Sequence, residues 1–288
     1  MKKQDFLDLA NQNYTHIPVY REVAADLDTP LSAYLKLAHT KHSFLFESVQ
    51  GGERWGRYSI IGLQCHEILQ VHGHNITLTR ADQSVQHFEH ADPLQWIEHY
   101  RQQFRVPEIE AVPRFVGGLV GYFGYDTIRY IEPKLGPCNK PDEFASADIM
   151  LMASTEFLVF DNLQGSVYII VLAPCAQQDS YEQAQLRIDN IQHDLHKPMS
   201  LAAIECAQDD VAELNFVSGF SEQGFKDAVV TAKRYIAAGD VMQVVLSQRL
   251  NAEFSGNAID VYRHLRRLNP SPYMYYLNMG DFEIVGSS

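Results

Sequence analysis

Two side chains interrupt an apolar run early in the chain. Phe44-Leu45-Phe46 leads directly into Glu47-Ser48. A carboxylate at the margin of a core costs energy unless it is paired. Two kinds of partner are open. One is an arginine across the following turn, Arg54 or Arg57. The other is the ammonium of a ligand, with Ser48 touching a ligand carboxylate or ammonium beside it. A second polar pair lies in 241–254, a run with strand periodicity. Met242, Val244, Leu246 and Leu250 fall on one face, with Gln248 the exception, and Val241, Gln243, Val245, Ser247 and Arg249 on the other. The first face reads as core. The second carries an amide and a hydroxyl among valines, which suits either solvent or a covered, semi-polar cleft. A third feature is Asn269-Pro270-Ser271-Pro272. Its two prolines make a rigid corner ahead of two apolar runs joined by Gly280-Asp281.

Other constellations have simpler readings. His72 and His74 fall in a hairpin turn, and His193 and His196 on a polar helix end. Neither pair has a Cys or carboxylate at zinc spacing. Gly117, Gly118, Gly121 and Gly124 match neither dinucleotide nor P-loop spacing. Glycines in such a run permit close backbone packing or a bulge. Cys65, Cys138, Cys175 and Cys206 are widely spaced with no C-x-x-C, as in reduced thiols of a cytoplasmic protein.

The elements that must position these residues are legible in outline. Helices are predicted over 5–13, 30–38, 92–104 with an Asp cap and Pro in the first turn, 180–196, 221–240 and 259–268. In 30–38 the apolar side is Leu31, Tyr34, Leu35 and Leu37. In 221–240, Ser221 caps the start, Gly239 stops the end, and Phe225, Ala228, Val229, Ala232, Tyr235 and Ile236 form one face. Strands are predicted over 43–49 and 57–62 around a turn at 51–56. A hairpin follows around 72–75, and 115–126 is an apolar, Gly-rich run. Three more strands, "DIMLMAS", "EFLVFD" and "SVYIIVL", are joined by turns short enough to make neighbours antiparallel. The class is α+β, with large, mostly antiparallel sheets flanked by helices. Residues 197–215 read as a link, giving domains 1–210 and 215–288.

Bulk properties exclude some functions. At 288 residues the chain forms one large or two ordinary domains. A formal net charge of −13 disfavours binding to nucleic acid or to an anionic membrane surface. Gln4, Asp5 and Asp8 interrupt any signal-peptide core, and no stretch approaches the length of a membrane span.

The segments "FLFESV" with "GRYSIIG", "GGLVGYFGYD", "GDVMQVVLSQRL" and "NPSPYMYYLNMGDFEIVGSS", in this order, resemble anthranilate synthase component I. The resemblance runs from about Phe44 to Ser288. It implies conversion of chorismate and ammonia to anthranilate and pyruvate in tryptophan biosynthesis. It also implies Mg²⁺ as cofactor, a glutamine amidotransferase subunit as partner, and feedback inhibition by L-tryptophan. The tryptophan site it implies is Glu47, Ser48, Pro272, Tyr273 and Met274. Gln243 would line the active site. Relatives that use water carry Lys there as a base, and Gln has no basic group in the useful range. The resemblance further implies that the family chain continues past Ser288, that the Mg²⁺ ligands and remaining catalytic groups lie there, and that this chain alone is inactive. Two other readings stay open: aminodeoxychorismate synthase component I, and a non-catalytic amino-acid-binding module.

Overall fold

A computed structural model describes residues 1–49, 56–138, 142–199 and 214–288. In chain order the elements are α1 (Lys3–Ala10), β1 (His16–Ala24), α2 (Pro30–Leu37), β2 (Ser43–Glu47), β3 (Tyr58–Gly62), β4 (Glu67–His72), β5 (Asn75–Thr79), β6 (Val85–Glu89) and α3 (Pro93–Arg101). They continue with β7 (Gly118–Phe123), α4 (Ile128–Ile131), β8 (Ile149–Ser154), β9 (Glu156–Asp161), β10 (Ser166–Pro174) and α5 (Ser180–Leu195). The last are β11 (Val217–Ser218), α6 (Glu222–Ala238), β12 (Leu250–Asn251), α7 (Ala258–Leu268), β13 (Met274–Asn278) and β14 (Glu283–Ser287). The fold is α+β, as expected.

Two compact units divide the chain: Met1–Glu205 with Ala258–Ser288, and Cys206–Asn257. This division differs from 1–210 and 215–288 because α7 and the final hairpin return to the first unit. There β13 pairs with β2 in a seven-stranded antiparallel sheet of order β1-β10-β9-β3-β2-β13-β14. A five-stranded antiparallel sheet has the order β6-β5-β4-β8-β7. On one face of the larger sheet, Leu45, Ile61, Met274 and Tyr276 pack with Phe6, Tyr34, Ile188, Ile259 and Tyr262 from α1, α2, α5 and α7. On the other face, Phe44 and Leu277 pack with Ile68, Val120, Met150 and Met152 of the smaller sheet. Helix α3 covers that sheet's far side through Ile97 and Tyr100.

Several local signals act as expected. Asp92 caps α3 by accepting from Gln95, and Thr29, not singled out from sequence, caps α2 by accepting from Ser32. Pro30, Ala33 and Tyr34 are the buried side of α2, while Leu31, Leu35 and Leu37 are half-buried. Gly121 approaches the smaller sheet's backbone closely: a Cβ there would lie 1.9 Å from the Met150 carbonyl oxygen. Cys65 is buried, Cys138 exposed and Cys175 half-buried, all three unbridged, and Cys206 lies outside the described residues. The turn at 51–56 also lies outside them, apart from Gly56.

Two expectations fail and one strand was missed, each for an identifiable reason. Strands β8 and β9 follow each other across Thr155 yet do not pair: β8 joins the smaller sheet and β9 the larger. The chain turns a corner between layers there, so a short connection does not imply a hairpin. Strand β1, which was not predicted, carries Pro18. It sits at the sheet's edge against β10, where a proline nitrogen can face away from the ladder. The long strand expected over 241–254 exists only as β12, whose two residues pair with β11. A strand needs a hydrogen-bonding partner, and the described residues supply one at Val217–Ser218 alone. In that second unit, Ser221 caps α6 and Gly239 ends it with φ +82°. Of the α6 face only Ala232 is buried.

Candidate functional site

The final hairpin brings the corner and the Glu47-Ser48 end of β2 together. In register, Phe46 faces both Tyr275 and Ile60 across the ladders, and Glu47 faces Met274. The pairing continues beyond the strands, with the Val49 amide donating to the Ser271 carbonyl at 3.1 Å. The corner is held from within and from behind. The Tyr273 amide donates to Ser271 Oγ, and the Ser287 hydroxyl donates to the Asn269 carbonyl at 2.6 Å.

Side chains alternate across a strand, so residues two apart share a face. Phe46, Ser48, Tyr58, Ile60, Tyr273 and Tyr275 therefore stand on one face at this end of the sheet. They line a cavity of about 360 Å³, to which Glu47, Pro272 and Met274 also contribute. Its wall is aromatic, with Ser48 as a polar point. Tyr58 is backed by Arg57, whose guanidinium lies 4.9 Å from the ring centre. Arg57 is held in turn by the buried Asp161, with Nη2 to Oδ2 at 2.7 Å. Asp161 also accepts from the Leu163 and Gln164 amides. Burial pushes the Asp161 carboxyl up, but Arg57 and these amides outweigh it and hold the carboxyl below its ordinary value.

Among the described residues, Glu47 does not pair with Arg57, the arginine of the sequence reading that lies within them. Arg57 is bound to Asp161, and Arg54 lies outside the described residues. Arg266 of α7 instead donates from Nε to Oε2 and from Nη2 to Oε1, both at 2.7 Å. Tyr262 Oη donates to Oε2 at 2.9 Å. Burial first, and the Glu47 charge second, push the Tyr262 phenol well above its usual range, so it stays a donor. The hydrogen bond to Glu47 likewise raises the Arg266 value. Tyr262 and Arg266 are spaced i, i+4 on the face that also buries Ile259. An arginine on the apolar side of a helix was the signal available for this missed partner.

The structure thus brings Glu47, Ser48, Pro272, Tyr273 and Met274 to one cavity. Gln243 belongs to the other unit, where it is exposed and outside any strand. Tyr58, Phe46, Ile60 and Tyr275 were not singled out from sequence, because their role depends on register. No group of three or more His, Cys, Asp or Glu among the described residues could hold a metal ion. His72, His74, His193 and His196 belong to no such group there. Among the described residues no helix is long and apolar enough to cross a membrane.

Comparison with known proteins bears on the family. A curated anthranilate synthase component 1 from Pseudomonas aeruginosa is 46% identical over 291 residues, covering 100% of this chain and 59% of that protein. One from Neisseria gonorrhoeae is 45% identical over 295 residues, with 100% and 58% covered. The chain therefore spans under two thirds of the length of these relatives. The crystal structure of anthranilate synthase component I from Streptococcus pneumoniae is 26% identical, with a TM-score of 0.65 over 92% of this chain and 57% of that one. The family described as chorismate binding enzyme matches residues 42–288, from just before β2 through the final hairpin, and the chain belongs to that family.

Proposed function

We propose that this chain works as part of an anthranilate synthase component I, with the cavity beside Ser48 and Tyr273 as its site for L-tryptophan. The reaction of the whole enzyme would convert chorismate and ammonia to anthranilate and pyruvate. A glutamine amidotransferase subunit would supply the ammonia, and Mg²⁺ would be required, in the cytoplasm. None of the described residues is assigned to the metal.

The observation that carries the reading is the cavity itself. An indole ring needs an aromatic wall, and Phe46, Tyr58, Tyr273 and Tyr275 supply one. An amino-acid head needs fixed polar groups, and Ser48 beside the stiff Ser271-Pro272 backbone supplies these. The names of the relatives support the choice of anthranilate synthase. Tryptophan bound here inhibits only if it prefers the inactive arrangement over the active one.

Calorimetric titration with L-tryptophan tests the site. Ser48→Ala should weaken binding about tenfold to a hundredfold, since a hydrogen bond to a charged group contributes roughly 1.5–3 kcal/mol. Unchanged affinity would remove Ser48 from the site.

A further inference from the structure

We propose that Glu47 is a positioning residue: its carboxylate clamps α7 to β2 and so fixes the corner that walls the cavity, while the ligand's amine is received elsewhere. The inference rests on the tryptophan-site reading and changes the role of one of its residues.

Three observations lead to it. The first is direction. The ring-bearing wall of the cavity belongs to the face of Phe46, Ser48 and Tyr275, and strand alternation puts Glu47 on the opposite face. Its neighbours there are Leu45, Met274 and Tyr276, which pack against α7. The second is occupancy. The Glu47 side chain is 3% exposed. Arg266 and Tyr262 together take three of the roughly four lone-pair positions a carboxylate offers. An ammonium arriving at Glu47 would be a second cation against the guanidinium, in surroundings that screen repulsion poorly. The third is the path the clamp completes. Arg266 fixes the last turn of α7, and the Asn269 amide closes that turn on the Leu265 carbonyl at 2.8 Å. Asn269 opens the corner, and Ser271 in the corner accepts from Val49, two residues after Glu47. The contacts form a closed ring from the end of β2 through α7 and back, and Ser48 and Pro272 sit on its rim.

The test uses the full 288-residue chain and two ligands, L-tryptophan and indole-3-propionate, which keeps the ring and carboxylate but lacks the amine. Dissociation constants are measured for the unaltered chain, Glu47→Gln, Arg266→Gln, Arg266→Lys, the Glu47→Gln/Arg266→Gln double variant and Tyr262→Phe, at a temperature where each is folded. A clamp predicts that Glu47→Gln and Arg266→Gln weaken L-tryptophan by similar factors, roughly tenfold or more. The double variant should be scarcely worse than either single one, because both remove one interaction. Arg266→Lys should recover part of the loss, since it keeps the charge but not the bidentate fork. The preference for L-tryptophan over indole-3-propionate should stay the same throughout. If Glu47→Gln cannot be obtained folded, Arg266→Gln and the milder Tyr262→Phe still decide, because neither residue lines the cavity.

Three outcomes overturn the proposal. If Glu47→Gln abolishes the preference for the amine while Arg266→Gln binds normally, Glu47 receives the amine itself. If the variants lose melting temperature but keep full affinity, the cluster only stabilises the fold. If the unaltered chain binds neither ligand, the tryptophan-site reading fails, a result distinct from the first two.

Discussion

Asp161 and Arg57 show how one buried charge organises a wall. The Asp161 side chain is 1% exposed, and Arg57 together with two amides holds it ionised. Arg57→Ala leaves that acceptor short of its main donor and should cost about 1–3 kcal/mol, measured by denaturant unfolding. The folded value of Asp161 is depressed, so its contribution is present above the unfolded value of about 3.9 and is lost as pH falls through the folded value. Asp161→Asn should therefore flatten the fall of stability below about pH 4 relative to the unaltered chain, and an equally steep acid limb would contradict this. At the residue scale, sequence gave the chemistry of Glu47 but not its partner. A charge next to a core demands compensation, and which arginine supplies it is a matter of tertiary packing. The nearby Arg57 went to Asp161, and α7, over two hundred residues away in sequence, provided Arg266.

Elements were legible where their signals are local, and misread where a partner strand decides. Capping residues marked α3 and α6, an apolar side marked α2, and Gly280-Asp281 marked the last hairpin. The corner between β8 and β9, the edge strand β1 and the short β12 depend on which strand lies alongside, which no local pattern carries. Two glycines in β7 and β14 test the same point. At Gly121 a Cβ would strike the Met150 carbonyl oxygen, part of the β7–β8 ladder. Gly121→Ala should cost about 1–3 kcal/mol or more, since backbone cannot yield without opening the pair. At Gly286 a Cβ would fall 2.1 Å from the Tyr275 ring, a side chain that lines the cavity. Gly286→Ala should leave the melting transition cooperative while lowering L-tryptophan affinity, because the ring moves and the backbone does not. Undisturbed binding would mean Tyr275 has room to move away from the ligand.

On the scale of the whole molecule, residues 258–288 leave the second unit and complete the sheet of the first. Chain order suggested a boundary near residue 210, whereas the contacts group the last hairpin with the first unit. The cavity exists because that hairpin docks beside β2. Its residues lie more than two hundred positions apart, and only their register unites them. The resemblance read from sequence named five of the cavity's residues, and the physical contribution of Tyr58, Ile60 and Tyr275 emerged only from the pairing. In the enzyme proposed above, Gln243→Lys should lower ammonia-dependent anthranilate formation, and undiminished activity would remove Gln243 from the proposed active site. The most direct test of the tryptophan site is a thermal melt of this chain with L-tryptophan, with D-tryptophan as control. At about 100 times the dissociation constant, binding adds roughly 2.7 kcal/mol to the folded state, a rise of about 5–10 °C for a unit of this size. A shift with the L form alone is the predicted result. A cooperative melt that neither enantiomer moves would contradict a tryptophan site formed by these residues.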